Sequence, residues 1–301
     1  MAPHTTPETP FGCLSTAMVT PFLESGELDL DSTVRLAKKL VADGCDAILV
    51  SGTTGESPTT HRPEKEELIH TVRGAVGDDV FIIAGASSND TLHAQAMARS
   101  ATEAGADGLL VVSPYYNRPS QRGLLAHVNA VASVTDLPII LYDIPGRTGL
   151  AFSDWVLDEL AKNPQIRGVK DATGNVVVGE ERMERTGLAY YSGDDALNYS
   201  WLAHGAAGCI SVVAHVAASS YRDMITEVRK HDLAAAREIS IKLRPLVHAI
   251  MGGGQGAVMA KHALHMLGVI ESPKVRLPLV EAEPAELDAL EAALAGAGML
   301  S

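Results

Sequence analysis

The sequence predicts an α/β protein, a (β/α)8 TIM barrel with a C-terminal helical extension. Eight short apolar runs recur along the chain, about 30 residues apart early and about 20 later, which is a spacing typical of strand–helix units. The runs are apolar throughout rather than alternating, as expected of strands covered on both faces. The expected strands are 13–19, 46–51, 80–85, 108–113, 138–143, 166–171, 188–193 and 208–213.

Amphipathic segments between the runs predict helices. Segment 28–44 carries its apolar residues on one face and ends at a glycine, and segments 62–77, 89–105 and 120–135 follow the same plan. Eight such strand–helix units close naturally into a barrel.

A doubly wound open sheet is the rival architecture, but the nucleotide-binding fingerprint of that fold is missing. The glycine-rich segment 252–256 follows a predicted helix rather than a strand, which favours a loop. The sequence thus favours the barrel.

The chain divides into three parts. We expect a disordered tail over residues 1–10, the barrel over 11–221 and the helical extension over 222–301.

Composition and charge restrict the function. The chain has 301 residues, 46% of them hydrophobic, and a formal net charge of −13. This charge argues against nucleic-acid or anionic-membrane partners, and no apolar run is long enough to span a membrane. The N-terminus lacks the features of a secretory signal, and three scattered cysteines do not suggest a disulfide framework. We expect a cytoplasmic protein.

Polar groups follow five of the expected strands. In a barrel of this type the active site lies at the carboxyl ends of the strands, so these groups should face one mouth. They are residues 51–57, 113–119, 142–149, 170–175 and 192–195.

Lys170 and Tyr142 end two neighbouring runs. Burial lowers the pKa of an amine, and a neutral lysine can form a Schiff base with a ketone. A phenol at the next strand end can pass protons to and from the imine. The plainer alternatives are a lysine paired with Asp171 and a tyrosine that packs in the barrel layers.

The remaining candidates are weaker when each is taken alone. Thr53 and Thr54 lie in a glycine-flanked turn that suits a carboxylate, or they simply cap a helix. Arg147 could clamp a second carboxylate or be an ordinary loop charge. No metal signature is present, because the histidines lack an HExxH pattern and the pair Asp194-Asp195 is weak evidence for a cation.

Taken together, these motifs resemble the pyruvate-dependent class I aldolases typified by dihydrodipicolinate synthase and N-acetylneuraminate lyase. The match covers nearly the whole chain, and segments 115–121 and 145–149 favour the dihydrodipicolinate synthase branch. It is carried by residues 17–22, 55–56, the Tyr142 turn, 168–170 and 276–279.

The resemblance implies a reaction and a role for each catalytic residue. Lys170 would form a Schiff base with pyruvate, Tyr142 would exchange protons, and Thr53 would link Tyr142 to Tyr116 in a proton relay. The product of pyruvate and L-aspartate-4-semialdehyde would be 4-hydroxy-tetrahydrodipicolinate, in lysine and diaminopimelate biosynthesis. No cofactor and no metal are expected.

The resemblance also implies substrate-binding residues and an oligomer. Thr54 would hold the pyruvate carboxylate, Arg147 the carboxylate of the aldehyde, and the backbones of Gly193 and Ile210 would line the pocket. Tyr116 would cross a dimer interface, which implies a homotetramer built as a dimer of dimers. The alternative is another pyruvate-dependent lyase or dehydratase, acting on a sialic acid or a keto-deoxy sugar acid, and Arg147 argues against it.

One departure from the family pattern concerns regulation. Lysine-inhibited members bind lysine near residues that match Ser57, Asn89 and Tyr115, but here the acidic position is His93. The two histidine positions are Arg62 and Lys65. A cationic effector would meet added positive charge and lose its carboxylate partner, so we predict weak or absent feedback inhibition by lysine.

Overall fold

Eight parallel strands close into a barrel in the computed structural model, which describes residues 5–253 and 255–300. Each strand pairs with the next in sequence, and β8 returns to β1. This confirms the predicted fold class. The strands are β1 (Leu14–Ala17), β2 (Ala47–Val50), β3 (Phe81–Gly85), β4 (Gly108–Val112), β5 (Ile139–Asp143), β6 (Ile166–Asp171), β7 (Ala189–Ser192) and β8 (Gly208–Ser211).

Helices between the strands form the outer layer. Side chains at their starts accept hydrogen bonds from the first turn, as Asp29 does from Ser32 N and Asp90 from Leu92 N. These helices are α1 (Leu30–Ala42), α2 (Arg62–Val76), α3 (Thr91–Glu103), α4 (Gln121–Ala132), α5 (Pro145–Thr148), α6 (Asp154–Leu160), α7 (Val176–Thr186) and α8 (Asn198–Ala203).

The C-terminal part is helical, as its sequence predicts. Helix α9 begins before the boundary we drew at residue 222 and runs through it, so barrel and extension share one helix. The glycine-rich segment connects a π-helical turn (His248–Gly252) to α11, which begins at Gly256, and Gly254 is outside the described residues. The helices are α9 (Ala214–Arg229), α10 (Leu233–Val247), α11 (Gly256–Met266) and α12 (Pro284–Gly296).

The segment 1–10, which we expect to be a disordered tail, is only partly described, because residues 1–4 lie outside the described range. Thr6 and Thr9 form two backbone hydrogen bonds with each other, and Thr9 is buried. Contacts with the barrel therefore begin before residue 11.

The apolar core fills the barrel and the layer between strands and helices. None of the helices in residues 5–253 and 255–300 is both long and apolar enough to cross a membrane.

A buried ion pair joins the extension to the barrel mouth. Glu56, in the loop after β2, lies 2.5 Å from Lys261 Nζ of α11, and their side chains are 1% and 0% exposed. Lys261 Nζ also donates to Lys274 O at 2.6 Å, and Arg276 N donates to the second Glu56 oxygen at 2.9 Å. Each of these charged and polar groups has a hydrogen-bond partner inside the protein. The ion pair therefore fixes the position of the loop after β2, which contains Thr53 and Thr54.

Replacing one partner of this pair should greatly lower the free energy of unfolding. Lys261→Met leaves the Glu56 carboxylate buried without a cation, which we expect to cost about 3–5 kcal/mol. Urea denaturation followed by circular dichroism measures the loss. The double variant Glu56→Gln/Lys261→Met removes both charges and should recover most of it; equal stability of the single variant and the wild type would contradict this account.

Candidate active site

Six of the eight predicted site residues line one cavity of about 510 Å³ at the barrel mouth. Because all strands are parallel, their carboxyl ends meet at the same rim, and side chains distant in sequence come together there. The cavity combines hydroxyls, two guanidiniums, an ammonium and the carboxylates of Asp194 and Asp195. The six residues are Thr53, Thr54, Tyr142, Arg147, Lys170 and Gly193.

Lys170 is a buried amine without a polar partner in the described part of the chain. It lies near the end of β6, is 5% exposed, and its Nζ makes no hydrogen bond or ion pair with any residue in the described ranges. Burial lowers the pKa of this ammonium to about 8, against the opposing charge of Asp195. At a pKa of about 8, roughly a tenth of the amine is neutral and nucleophilic at pH 7, which is far more than in a solvated lysine.

Tyr142 lies directly beside Lys170 on the next strand. The two residues are register partners of β5 and β6, and Lys170 Nζ is 4.4 Å from the centre of the Tyr142 ring. Burial raises the pKa of the phenol to about 12, so Tyr142 keeps its proton at neutral pH and is a donor. Within the described chain the hydroxyls of Tyr142 and Thr53 are not hydrogen-bonded to each other, so the relay we expect is not assembled here.

Gly193 leaves room for the lysine. Its N–H donates to Asp171 O at 2.8 Å, and a Cβ at this position would lie 3.0 Å from both Cγ and Cε of Lys170. Any side chain at residue 193 would push the lysine away from its place, which accounts for a glycine after β7.

The two threonines and Arg147 supply groups that can hold carboxylates. Thr54 is buried at the cavity wall, whereas Thr53 is exposed at its mouth. Arg147 lies in the one-turn helix α5, is exposed, and has no ion-pair partner among residues 5–253 and 255–300. Its guanidinium is free to bind an anion.

Two predicted site residues do not join the group. Tyr116 is 90% exposed, with a backbone φ of 72°, and lies outside both mouth cavities. Ile210 is buried in β8 and pairs with Ser15 of β1, and it does not line the cavity. The single chain therefore brings together the lysine, Tyr142 and Arg147 but leaves Tyr116 in solvent.

Sequence reasoning missed the role of Asp195. It treats the pair Asp194-Asp195 as weak evidence for a cation, yet the Asp195 carboxylate accepts from Asn198 Nδ2, Val212 N and Val213 N at 2.9, 2.8 and 3.1 Å. It thereby joins the β7 loop to the turn after β8, and its charge opposes the fall in the Lys170 pKa. The sequence feature that could have identified Asp195 is its position directly after a predicted strand. Across the described residues, no three His, Cys, Asp or Glu side chains lie close enough to share a metal ion.

A second cavity of about 440 Å³ adjoins the first through Thr53, Tyr142 and Arg147. Arg62, Lys65 and His93 line it, and none of its lining residues is acidic.

The Lys65 ammonium is already engaged in this second cavity. It donates to Ser57 O at 2.7 Å and to Thr60 Oγ1 at 2.6 Å, with the Ser57 hydroxyl at 3.2 Å. The Ser57 hydroxyl, which the family pattern assigns to an effector, is therefore beside a cation of the chain itself.

The chain has a closed parallel barrel with a desolvated lysine and a protonated tyrosine on neighbouring strand ends. This arrangement is that of a lyase of the class I aldolase type.

Comparison with known proteins places the chain within that class. The model of the dihydrodipicolinate synthetase family matches residues 10–297, and the chain belongs to this family. It is 47% identical to a 4-hydroxy-tetrahydrodipicolinate synthase of Bifidobacterium longum, over 99% of this chain and 98% of that protein.

Solved structures agree with this assignment. A chloride-inhibited dihydrodipicolinate synthase from Acinetobacter baumannii, in complex with pyruvate, has a TM-score of 0.93 and 34% identity. The match covers 96% of this chain and all (100%) of that one. The enzyme of Cyanidioschyzon merolae with lysine bound has a TM-score of 0.92 and 38% identity, over 96% and 99% of the two chains.

The lowered pKa of Lys170 predicts how covalent trapping depends on pH. Only the neutral amine attacks a ketone, so the rate of borohydride trapping by pyruvate should rise through a pKa of about 8. Mass spectrometry of the Lys170 peptide at pH 6 to 10 measures it. A rate that is flat until pH 10 would contradict the desolvated state of this lysine, and Lys162→Met, at an exposed lysine, should not change the profile.

Proposed function

We infer that the chain condenses pyruvate with L-aspartate-4-semialdehyde to form 4-hydroxy-tetrahydrodipicolinate, a step of lysine and diaminopimelate biosynthesis. The observation that carries this inference is the buried amine of Lys170 beside Tyr142, with Arg147 in the same cavity, neither cation having an ion-pair partner among the described residues. The names of the relatives agree with it. In this proposal Thr54 and Arg147, which line the same cavity, give the carboxylate of each substrate a group to bind.

The chemistry begins at Lys170. Its neutral amine attacks C2 of pyruvate, and water leaves as the Schiff base forms. In this proposal Tyr142 gives a proton to the departing oxygen and takes one back. Loss of a methyl proton then gives an enamine: the electrons of the broken C–H bond form the C=C bond, and the protonated imine nitrogen of Lys170 accepts those of the C=N bond, so that no cofactor is required.

The second substrate completes the cycle. The enamine carbon attacks the aldehyde, whose oxygen takes up a proton to become the hydroxyl of the product. The amino group of the substrate then attacks C2 and closes the ring, which releases Lys170 as the free amine. In this proposal Thr54 holds the pyruvate carboxylate, Arg147 holds that of the aldehyde, and the backbones of Gly193 and Ile210 border the pocket.

We further propose that the active assembly is a homotetramer, a dimer of dimers. A tyrosine that is 90% exposed in a left-handed backbone conformation fits a residue that a second subunit covers. Tyr116 would then reach the partner's Thr53 and complete the proton relay to Tyr142. Sedimentation and mass photometry of the purified chain test the assembly.

We propose that the enzyme works in the cytoplasm. Its three cysteines, Cys13, Cys45 and Cys209, are free and buried, which is common in proteins of reducing compartments.

Arg147→Gln should separate the two substrates. A charge-assisted hydrogen bond is worth about 1.5–3 kcal/mol, so the KM for aspartate semialdehyde should rise roughly 10- to 100-fold. The KM for pyruvate and the trapping of pyruvate on Lys170 should stay as in the wild type. Steady-state kinetics coupled to a reductase measures both constants.

The matched control for this prediction is Arg167→Gln, an exposed arginine at the start of β6. It removes the same charge far from the mouth and should leave both constants unchanged. An unchanged KM for the semialdehyde in Arg147→Gln, together with cleavage of a sialic or keto-deoxy sugar acid by the wild type, would overturn the proposed reaction.

Lysine should inhibit this enzyme weakly or not at all. The second cavity holds Arg62, Lys65 and His93 with no acidic residue in its lining, so a cationic ligand would be repelled and left without a carboxylate partner. Activity assays with millimolar L-lysine test this, and inhibition at sub-millimolar lysine would refute it. The triple variant Arg62→His/Lys65→His/His93→Glu reverses the charges and should bind lysine more tightly by calorimetry.

A further inference from the structure

Residues 144–153, here called the Arg147 segment, connect β5 to α6 and carry the guanidinium proposed to bind the second substrate. One edge of the segment is held by the start of α4. Gln121 donates to Ala151 O at 2.9 Å and accepts from Ser153 N at 3.0 Å. The position of Arg147 therefore depends on how the base of this segment is fixed.

The opposite edge is held by Arg182 of α7. Phe152 is buried, and within the described chain its backbone N–H and C=O have one partner each. The N–H donates to Asp143 Oδ1 at 3.4 Å, and the C=O accepts from an Arg182 terminal nitrogen at 3.2 Å. Buried peptide groups must be paired to avoid a desolvation penalty, so these two side chains decide where Phe152 lies.

Arg182 also keeps Asp143 in place. Their side chains are 13% and 1% exposed, and the guanidinium lies 3.6 Å from Asp143 Oδ2, an oxygen without a hydrogen bond in the described residues. Asp143 is the register partner of Asp171 on β6, so two buried carboxyls share one nearby guanidinium. Burial and Asp171 raise the pKa of Asp143 to about 7, which the positive charge of Arg182 opposes.

Arg182 is remote from the reacting atoms. Asp143 follows Tyr142 on β5, and by strand alternation its side chain points to the helix layer rather than into the barrel. Neither Arg182 nor Asp143 lines the cavity of Lys170. Its contacts with Asp143 and with the Phe152 peptide give Arg182 a route to the reaction through the Arg147 segment.

We propose that Arg182 is a positioning residue that, through Asp143 and the Phe152 peptide, holds Arg147 in register with the carboxylate of the second substrate. This inference depends on the proposed role of Arg147. The geometry assigns to α7, on the outer surface of the barrel, a part in selecting the aldehyde but none in the formation of the pyruvate adduct.

The test compares Arg182→Gln with Arg185→Gln. Arg185 lies one turn along the same helix and pairs with Asp154 and Asp158, but it does not reach the Arg147 segment. A small misplacement of a binding group weakens only the interactions that it makes, so Arg182→Gln should raise the KM for aspartate semialdehyde about five- to tenfold. The KM for pyruvate and the borohydride trapping rate should match the wild type, and Arg185→Gln should leave every constant unchanged.

The outcomes separate this inference from the proposed function. If Arg147→Gln raises the KM for the semialdehyde while Arg182→Gln only lowers the melting temperature, Arg182 is structural and the inference is wrong. If Arg147→Gln has no effect on that KM, the proposed function fails first and the inference fails with it. If Arg182→Gln does not fold, Arg182→Lys keeps the charge but cannot span Asp143 and Phe152 together, and the same rise in KM is then required of it.

Discussion

The burial of the Lys170 ammonium is the constraint around which the mouth of the barrel is arranged. Removing a charge from water without a paired partner is costly, and this cost lowers the pKa of the ammonium to about 8, so that the amine loses its proton more readily than a solvated lysine does. The carboxylate of Asp195 stays near enough to limit the shift, while its own hydrogen bonds go to the β8–α9 turn. Gly193 supplies the space, because a side chain there would contact the lysine stem. The reactivity of the Lys170 amine thus depends on residues at the ends of β6, β7 and β8 and not on the lysine alone.

Most of the fold was predictable because parallel barrel strands are marked by uninterrupted apolar runs. All eight runs became strands, and the order of the barrel follows from short right-handed connections. Lys170, Tyr142 and Arg147 were identifiable because each comes where an apolar run stops. The sequence boundary at residue 222 fell inside α9, since an amphipathic helix shows no change of composition where it passes from one neighbour to another.

The features that could not be predicted depend on contacts between distant segments. Nothing in the order of residues indicates that Glu56 meets Lys261, 205 positions later, or that Asp195 supports the turn after β8. The environment of Tyr116 could not be predicted for a different reason. Its proposed role requires a second subunit, and a single chain places it in solvent. Arg182 lies on a helix whose pattern is that of any surface helix, and only the structure shows what its guanidinium contacts.

The Glu56–Lys261 pair has a consequence for how the protein comes apart. A terminal set of helices packed on a barrel could in principle detach first and leave the barrel folded. Here that event would strip a buried carboxylate in the β2 loop of its cation and open the wall beside Thr53 and Thr54. Local opening of the extension therefore carries the cost of unpairing this carboxylate, and amides in α11 and in the β2 loop should exchange with solvent as one cooperative unit.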